Sequence, residues 1–185
     1  MGNRRIGRKR LYGVEKQGQK IDLEAGAGIS SNITSATQHR QGQEIITEIA
    51  IDLGVTGILG GGGDDGVIGE SATASAITRL TTAKYGHITE IRAICMEVPG
   101  GGHNQVNVAT KANEEVQDNT ATERIADLGT IGEDTSLELN DSSTLQTSSS
   151  EHYLFLTNAG GGDNSQMSSG KFLIYLHGFV TPDDL

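Results

Sequence analysis

Residues 45 to 53 read Ile-Ile-Thr-Glu-Ile-Ala-Ile-Asp-Leu, and their alternation constrains the fold more than any other stretch of the chain. Ile45, Thr47, Ile49, Ile51 and Leu53 fall on one side, Glu48 and Asp52 on the other. A period of two is the mark of a strand with one face in a core and one in water. Similar runs follow at Ala76 to Leu80, His87 to Val98, Asn104 to Thr110, Ser136 to Leu139, His152 to Thr157 and Lys171 to Val180. Within Asn104 to Thr110, Val106 and Val108 are expected to point inward and Asn107 outward. Leu11-Tyr12-Gly13-Val14 and Lys20-Ile21-Asp22-Leu23 read as an extended segment or a hairpin, and residues 25 to 44 are mixed polar.

Glycine and proline punctuate these runs. Gly60-Gly61-Gly62-Gly63-Asp64-Asp65-Gly66 has too much backbone freedom for the interior of a regular element and reads as a surface loop. Pro99-Gly100-Gly101-Gly102 is expected to end the longest strand. Asn158 to Asn164 separates the last two strands, which are expected to pair as a hairpin with a long tip. One helix is predicted, over Ala112 to Leu128, although Val116, Ile125 and Leu128 are poorly spaced for an apolar stripe.

Composition supports the same class. Leu, Ile, Val and Phe make up about 23% of the 185 residues, little above the level of roughly 20% below which chains tend not to fold. Gly, Ser and Thr supply almost a third, which suits many turns and short strands. No internal repeat of 20 to 50 residues is present, so a solenoid or propeller is disfavoured. The expected architecture is all-β: eight to ten strands in an antiparallel β-sandwich or jelly roll. The single Cys95 allows no intramolecular disulfide and is expected to be a buried, inert strand residue. With a thin core and no such staple, oligomerisation is the expected source of further stability.

The formal charge of −10 conceals a division. The first 20 residues carry Arg4, Arg5, Arg8, Lys9, Arg10, Lys16 and Lys20 against Glu15 alone, a net of +6, which leaves −16 for the rest. An acidic body repels phosphate, so nucleic acid is an unlikely partner. The basic leader has too little apolar content to fold alone and reads either as a solvated tail or as an arm that orders on an acidic partner; the second reading gains from the anchors Ile6, Leu11 and Tyr12 and from guanidinium groups that match carboxylates. The reading is therefore two parts: residues 1–24 as a basic arm and docking segment, and 25–185 as the sandwich domain. Arg4, Arg5, Ile6, Arg8, Lys9, Arg10, Leu11 and Tyr12 are the candidate docking residues, directed at an acidic partner.

His39, His87, His103, His152 and His177 stand in no metal-binding spacing. His87 or His103 beside Asp64 or Asp65 suggests a hydrolase site, but no nucleophile elbow accompanies them and solvated loop residues are the simpler reading. Gly60 to Gly66 and Gly160 to Asn164 lack the spacing of phosphate or calcium loops. Asn32-Ile33-Thr34 and Asn140-Asp141-Ser142 match a glycosylation pattern without an export signal to accompany them. The expectation is a non-enzymatic protein with no cofactor and no metal, neither exported nor inserted in a membrane.

Four parts of the chain carry a resemblance. Glu97-Val98-Pro99-Gly100-Gly101-Gly102 leading into Asn104-Gln105-Val106-Asn107-Val108, and Tyr153-Leu154-Phe155-Leu156-Thr157 with Ser169 to Phe179, resemble small virion structural proteins of marine tailed phages. Gly2 to Tyr12 and Ala36 to Glu44 are similar to the same group. The resemblance implies a β-sandwich subunit on a phage particle, a capsid decoration or cement protein, with the major capsid protein as partner, a homotrimer as the favoured oligomer and the capsid surface as its location after synthesis in the host cytoplasm. It implies no active site. A receptor- or carbohydrate-binding tip module and a neck or tail component are the competing roles; the absence of Trp and the 4% aromatic content argue against sugar binding.

Overall fold

The computed structural model describes residues 18–29, 34–55, 57–60, 66–69, 75–101, 106–111, 126–131, 136–139, 152–158 and 165–180. They form an all-β protein with two antiparallel sheets and a single helical turn. The strands are β1 (Gln19–Ile21), β2 (Thr34–Gln41), β3 (Glu44–Asp52), β4 (Thr78–Leu80), β5 (His87–Gly100), β6 (Val106–Lys111), β7 (Ala126–Ile131), β8 (Ser136–Leu139), β9 (His152–Asn158) and β10 (Ser169–Phe179). The helical turn α1 spans Thr82–Tyr85. The six-stranded sheet has the order β1-β2-β3-β10-β5-β8, the four-stranded sheet β4-β9-β6-β7.

β3 adopts the alternation its sequence dictates. Ile45, Thr47, Ile49, Ile51 and Leu53 are buried, and Glu48 is exposed. β10 lies beside it with Phe172, Ile174 and Leu176 turned the same way. Ile49, Ile51, Leu53, Phe172, Ile174 and Leu176 share one hydrophobic cluster with Ile91 and Ala93 of β5 and with Val106, Val108, Leu154 and Leu156 of the four-stranded sheet. One core therefore serves both sheets. Cys95 is part of it, buried as the strand pattern implies.

Several sequence expectations are corrected. β9 and β10 are not a hairpin: β9 pairs with β4 and β6, whereas β10 sits between β3 and β5 in the other sheet. Two apolar strands on either side of a glycine-rich stretch look alike whether they pair or cross between sheets. Ala126 to Leu128 is strand, not helix, because β7 pairs with β6 through Ala126↔Thr110 and Val106↔Ile131; residues 112–125 lie outside the described residues. β5 runs through Pro99 to Gly100, with Ser169 opposite Gly100. Asn107 is buried, not turned to solvent.

β2 is a strand the polar sequence does not announce, since Ala36 is its only fully buried residue. Its partner dictates it: Gln41 faces Glu44 across the two-residue turn Gly42-Gln43. Gly42 has φ +64°, which suits a hairpin turn with glycine at its first central position. β1 then adds three residues to the edge of β2. Residues 18–24, which the charge division groups with the arm, are fastened here to the body. Leu23 is buried, and Lys84 Nζ donates to the Asp22 carbonyl and stands 3.5 Å from Glu24 Oε1.

Candidate functional site

Arg4, Arg5, Ile6, Arg8, Lys9, Arg10, Leu11 and Tyr12 lie outside the described residues. What the structure does place is the root of that segment and the faces near it. Gly18 stands beside Thr37, and Lys20, opposite Thr37 on β1, points to the face of the six-stranded sheet that is turned away from the core.

That outer face is laid out by strand register. Asp52, Lys171 and Glu97 form one cross-strand row, Ala50, Leu173 and Ile94 the next, Glu48, Tyr175 and Arg92 a third, and Ile46, His177 and Glu90 a fourth. Lys171 Nζ donates to Glu97 Oε2 at 2.5 Å and lies 3.9 Å from Asp52 Oδ2. The Glu97 bond, with the charge of Asp52 behind it, raises the Lys171 pKa above its ordinary value. Burial raises the Tyr175 pKa, reinforced by the Glu48 carboxylate and opposed by the Arg92 guanidinium. His177 Nδ1 lies 3.6 Å from Glu44 Oε1. Exposed ion pairs of this kind add little to folding, so their arrangement matters more for what can approach the sheet than for its stability.

Apolar side chains stand among these charges. Met96 is 66% exposed, Phe179 46% and Val98 42%. Leu173, Ala50 and Met96, with Lys20, Asp52 and Lys171 at the margin, line an open concavity of about 480 Å³. A second hollow, about 820 Å³, runs along residues 20–27 and 34–36 at the root of β1.

Comparison of the chain with protein-family models, curated proteins and solved structures finds no match. Among the described residues no group of three or more His, Cys, Asp and Glu side chains is placed to hold a metal ion, and no helix is long and apolar enough to cross a membrane. His39, His87, His152 and His177 fall on separate strands, β2, β5, β9 and β10. Burial lowers the His152 pKa. His103, Asp64 and Asp65 lie outside the described residues.

The register also shows what sequence reading missed. Described residues at the ends of the glycine-rich stretches are bonded to one another: Gly60 N donates to the Ser165 carbonyl and Asn158 N to the Gly66 carbonyl, both at 2.9 Å, and Ser168 N donates to the Gly100 carbonyl at 2.8 Å. Beside them Asn107 and Thr157 face each other across β6 and β9, both buried, with Asn107 Oδ1 and Thr157 Oγ1 lacking a hydrogen-bond partner. A trapped water satisfies such a pair in many proteins. The ladder on the six-stranded sheet had a legible signal, the polar positions Glu44, Glu48 and Asp52 on one side of β3 and Lys171, Tyr175 and His177 on one side of β10. Which row met which required the register.

Proposed function

We propose that this chain is a non-enzymatic structural protein of a virion, one that decorates the outer surface of a capsid and cements it, held there by residues 4–12. The two antiparallel sheets around one core are read as a β-sandwich of the jelly-roll type, the body of the subunit. The observation that carries the reading is the division of charge: a leader of net +6 ahead of a body of net −16. A segment so charged has little tendency to collapse on its own and finds complementary carboxylates on an acidic partner. The resemblance to virion proteins of marine tailed phages makes the major capsid protein that partner.

The division of labour is physical. A subunit with a thin core gains stability by burying surface against other subunits, since anything that binds only the folded state shifts the folding equilibrium toward it. A shell gains in return from area buried across the joints between its capsomers. A homotrimer suits the local three-fold positions of an icosahedral lattice.

The test is the number of copies in purified particles and where they sit. Stoichiometry of the order of the capsid protein, with density on the outside of the shell by electron cryomicroscopy, is the result expected. A few copies confined to one vertex or to the tail overturn the decoration role in favour of a neck or tail role.

A further inference from the structure

We propose that residues 4–12 of one copy also lie across the outer face of the six-stranded sheet of a neighbouring copy, so that the arm links subunits to one another. The proposal rests on the tether reading above and names a second acceptor for the same arm. Three observations lead to it.

The first is complementarity. Among the described residues the outer face presents Glu44, Glu48, Asp52, Glu90 and Glu97 against Lys20, Arg92 and Lys171, and Lys171 is already engaged by Glu97 and Asp52. Between these carboxylates lies the apolar floor of Ala50, Leu173 and the exposed Met96. The arm offers the matching inventory, five cations with Ile6, Leu11 and Tyr12 among them. The guanidinium groups would meet the carboxylates while the apolar side chains cover the concavity.

The second is direction. β1 pairs antiparallel with β2, Ile21 opposite Ala36 and Gln19 opposite Gln38. Followed toward its N-terminal end, the strand heads for the Gly42 turn, whereas the concavity lies at the opposite end of β2, beside Thr34 and Ser35. The chain thus leaves β1 pointing away from its own concavity.

The third is reach. Residues 4–17 join the first of these cations to Gly18, and a chain fully extended spans at most about 3.5 Å per residue, roughly 50 Å over that stretch. A folded body of this size has a radius of gyration of about 15 Å. The arm is long enough to cross to a neighbour and lie down on it.

A mixing experiment tests the proposal with the full chain. One variant reverses the arm (Arg4→Glu, Arg5→Glu, Arg8→Glu), another the face (Glu48→Lys, Glu97→Lys), and circular dichroism verifies that both fold. At low salt the unaltered chain is expected to self-associate, and each variant alone to do so about tenfold more weakly or less, because like charges now meet. Mixed together the variants should associate again, since the intact arm of one meets the intact face of the other. An unchanged mass on mixing, which is also what an arm folded onto its own body gives, overturns the proposal, as does an unaltered chain that stays monomeric at low salt. Particle binding separates this from the tether reading. Face-reversed copies keep an intact arm and should still bind capsids; if they associate in the mixture yet do not bind capsids, the tether reading fails and the link between copies stands.

Discussion

Tyr85 closes the helical turn α1 with its ring buried and its hydroxyl 2.6 Å from Thr78 Oγ1, itself fully buried on β4. Burial, more than any charge nearby, pushes its pKa from 10.0 up to about 12. The folded state therefore holds this proton more tightly than the unfolded chain. Below pH 10 both states are protonated and the stability is fully present; between pH 10 and 12 the unfolded chain ionises while the fold does not, and stability falls. The contribution is a loss on the order of 1 kcal/mol by pH 11. Tyr85→Phe should cost about 1–3 kcal/mol at pH 7, by leaving Thr78 without this partner, and should not show this part of the alkaline decline. Urea unfolding at pH 7 and pH 11 checks both; curves for the two proteins that fall in parallel contradict the assignment.

At the scale of elements, β10 is the strand on which the six-stranded sheet depends, paired along its length with β3 on one side and β5 on the other. Its inward residues end in Gly178, where an added Cβ would lie 1.9 Å from the Tyr85 carbonyl oxygen. Gly178→Ala should destabilise by about 3 kcal/mol or more, because backbone, not a flexible side chain, has to move. Ile174→Ala, at a fully buried site, should cost about 2–5 kcal/mol, and Met96→Ala on the outer face under about 0.5 kcal/mol. Equal losses at 174 and 96 by thermal unfolding would mean that the two faces of the sheet are wrongly assigned.

The same elements show what sequence can carry. β3 and β5 were legible because alternation is local, written in consecutive residues. The separation of β9 from β10 was not, since every residue of β9 but Tyr153 is buried and its pattern names no partner strand. β2 was illegible for the opposite reason: it is polar, and pairing with β3 makes it a strand. The outer-face ladder falls between these cases. Its members could be read from the alternation, but their rows depend on register, which turns and bulges fix, among them the shift between His177 and Gly178 on β10 opposite Glu90 and Ile88. The docking role proposed for residues 4–12, which lie outside the described residues, rests on their charge, on the apolar anchors Ile6, Leu11 and Tyr12 and on the resemblance.

At the scale of the whole molecule, the basic leader and the acidic body are the two parts of the proposal, one a tether and one a subunit body. Charge pairs at the rim of an interface govern mainly the rate of association and its salt dependence, while apolar contacts are little affected by salt. Capsid binding should therefore weaken from low to molar salt without vanishing, because Ile6, Leu11 and Tyr12 remain. The most direct measurement is the occupancy of purified capsids by the full chain and by a variant with Arg4, Arg5, Arg8, Lys9 and Arg10 all replaced by Gln, with melting temperatures recorded for both. The result expected is an unchanged melting temperature and an occupancy reduced to background; equal occupancy of the two proteins would contradict the claim.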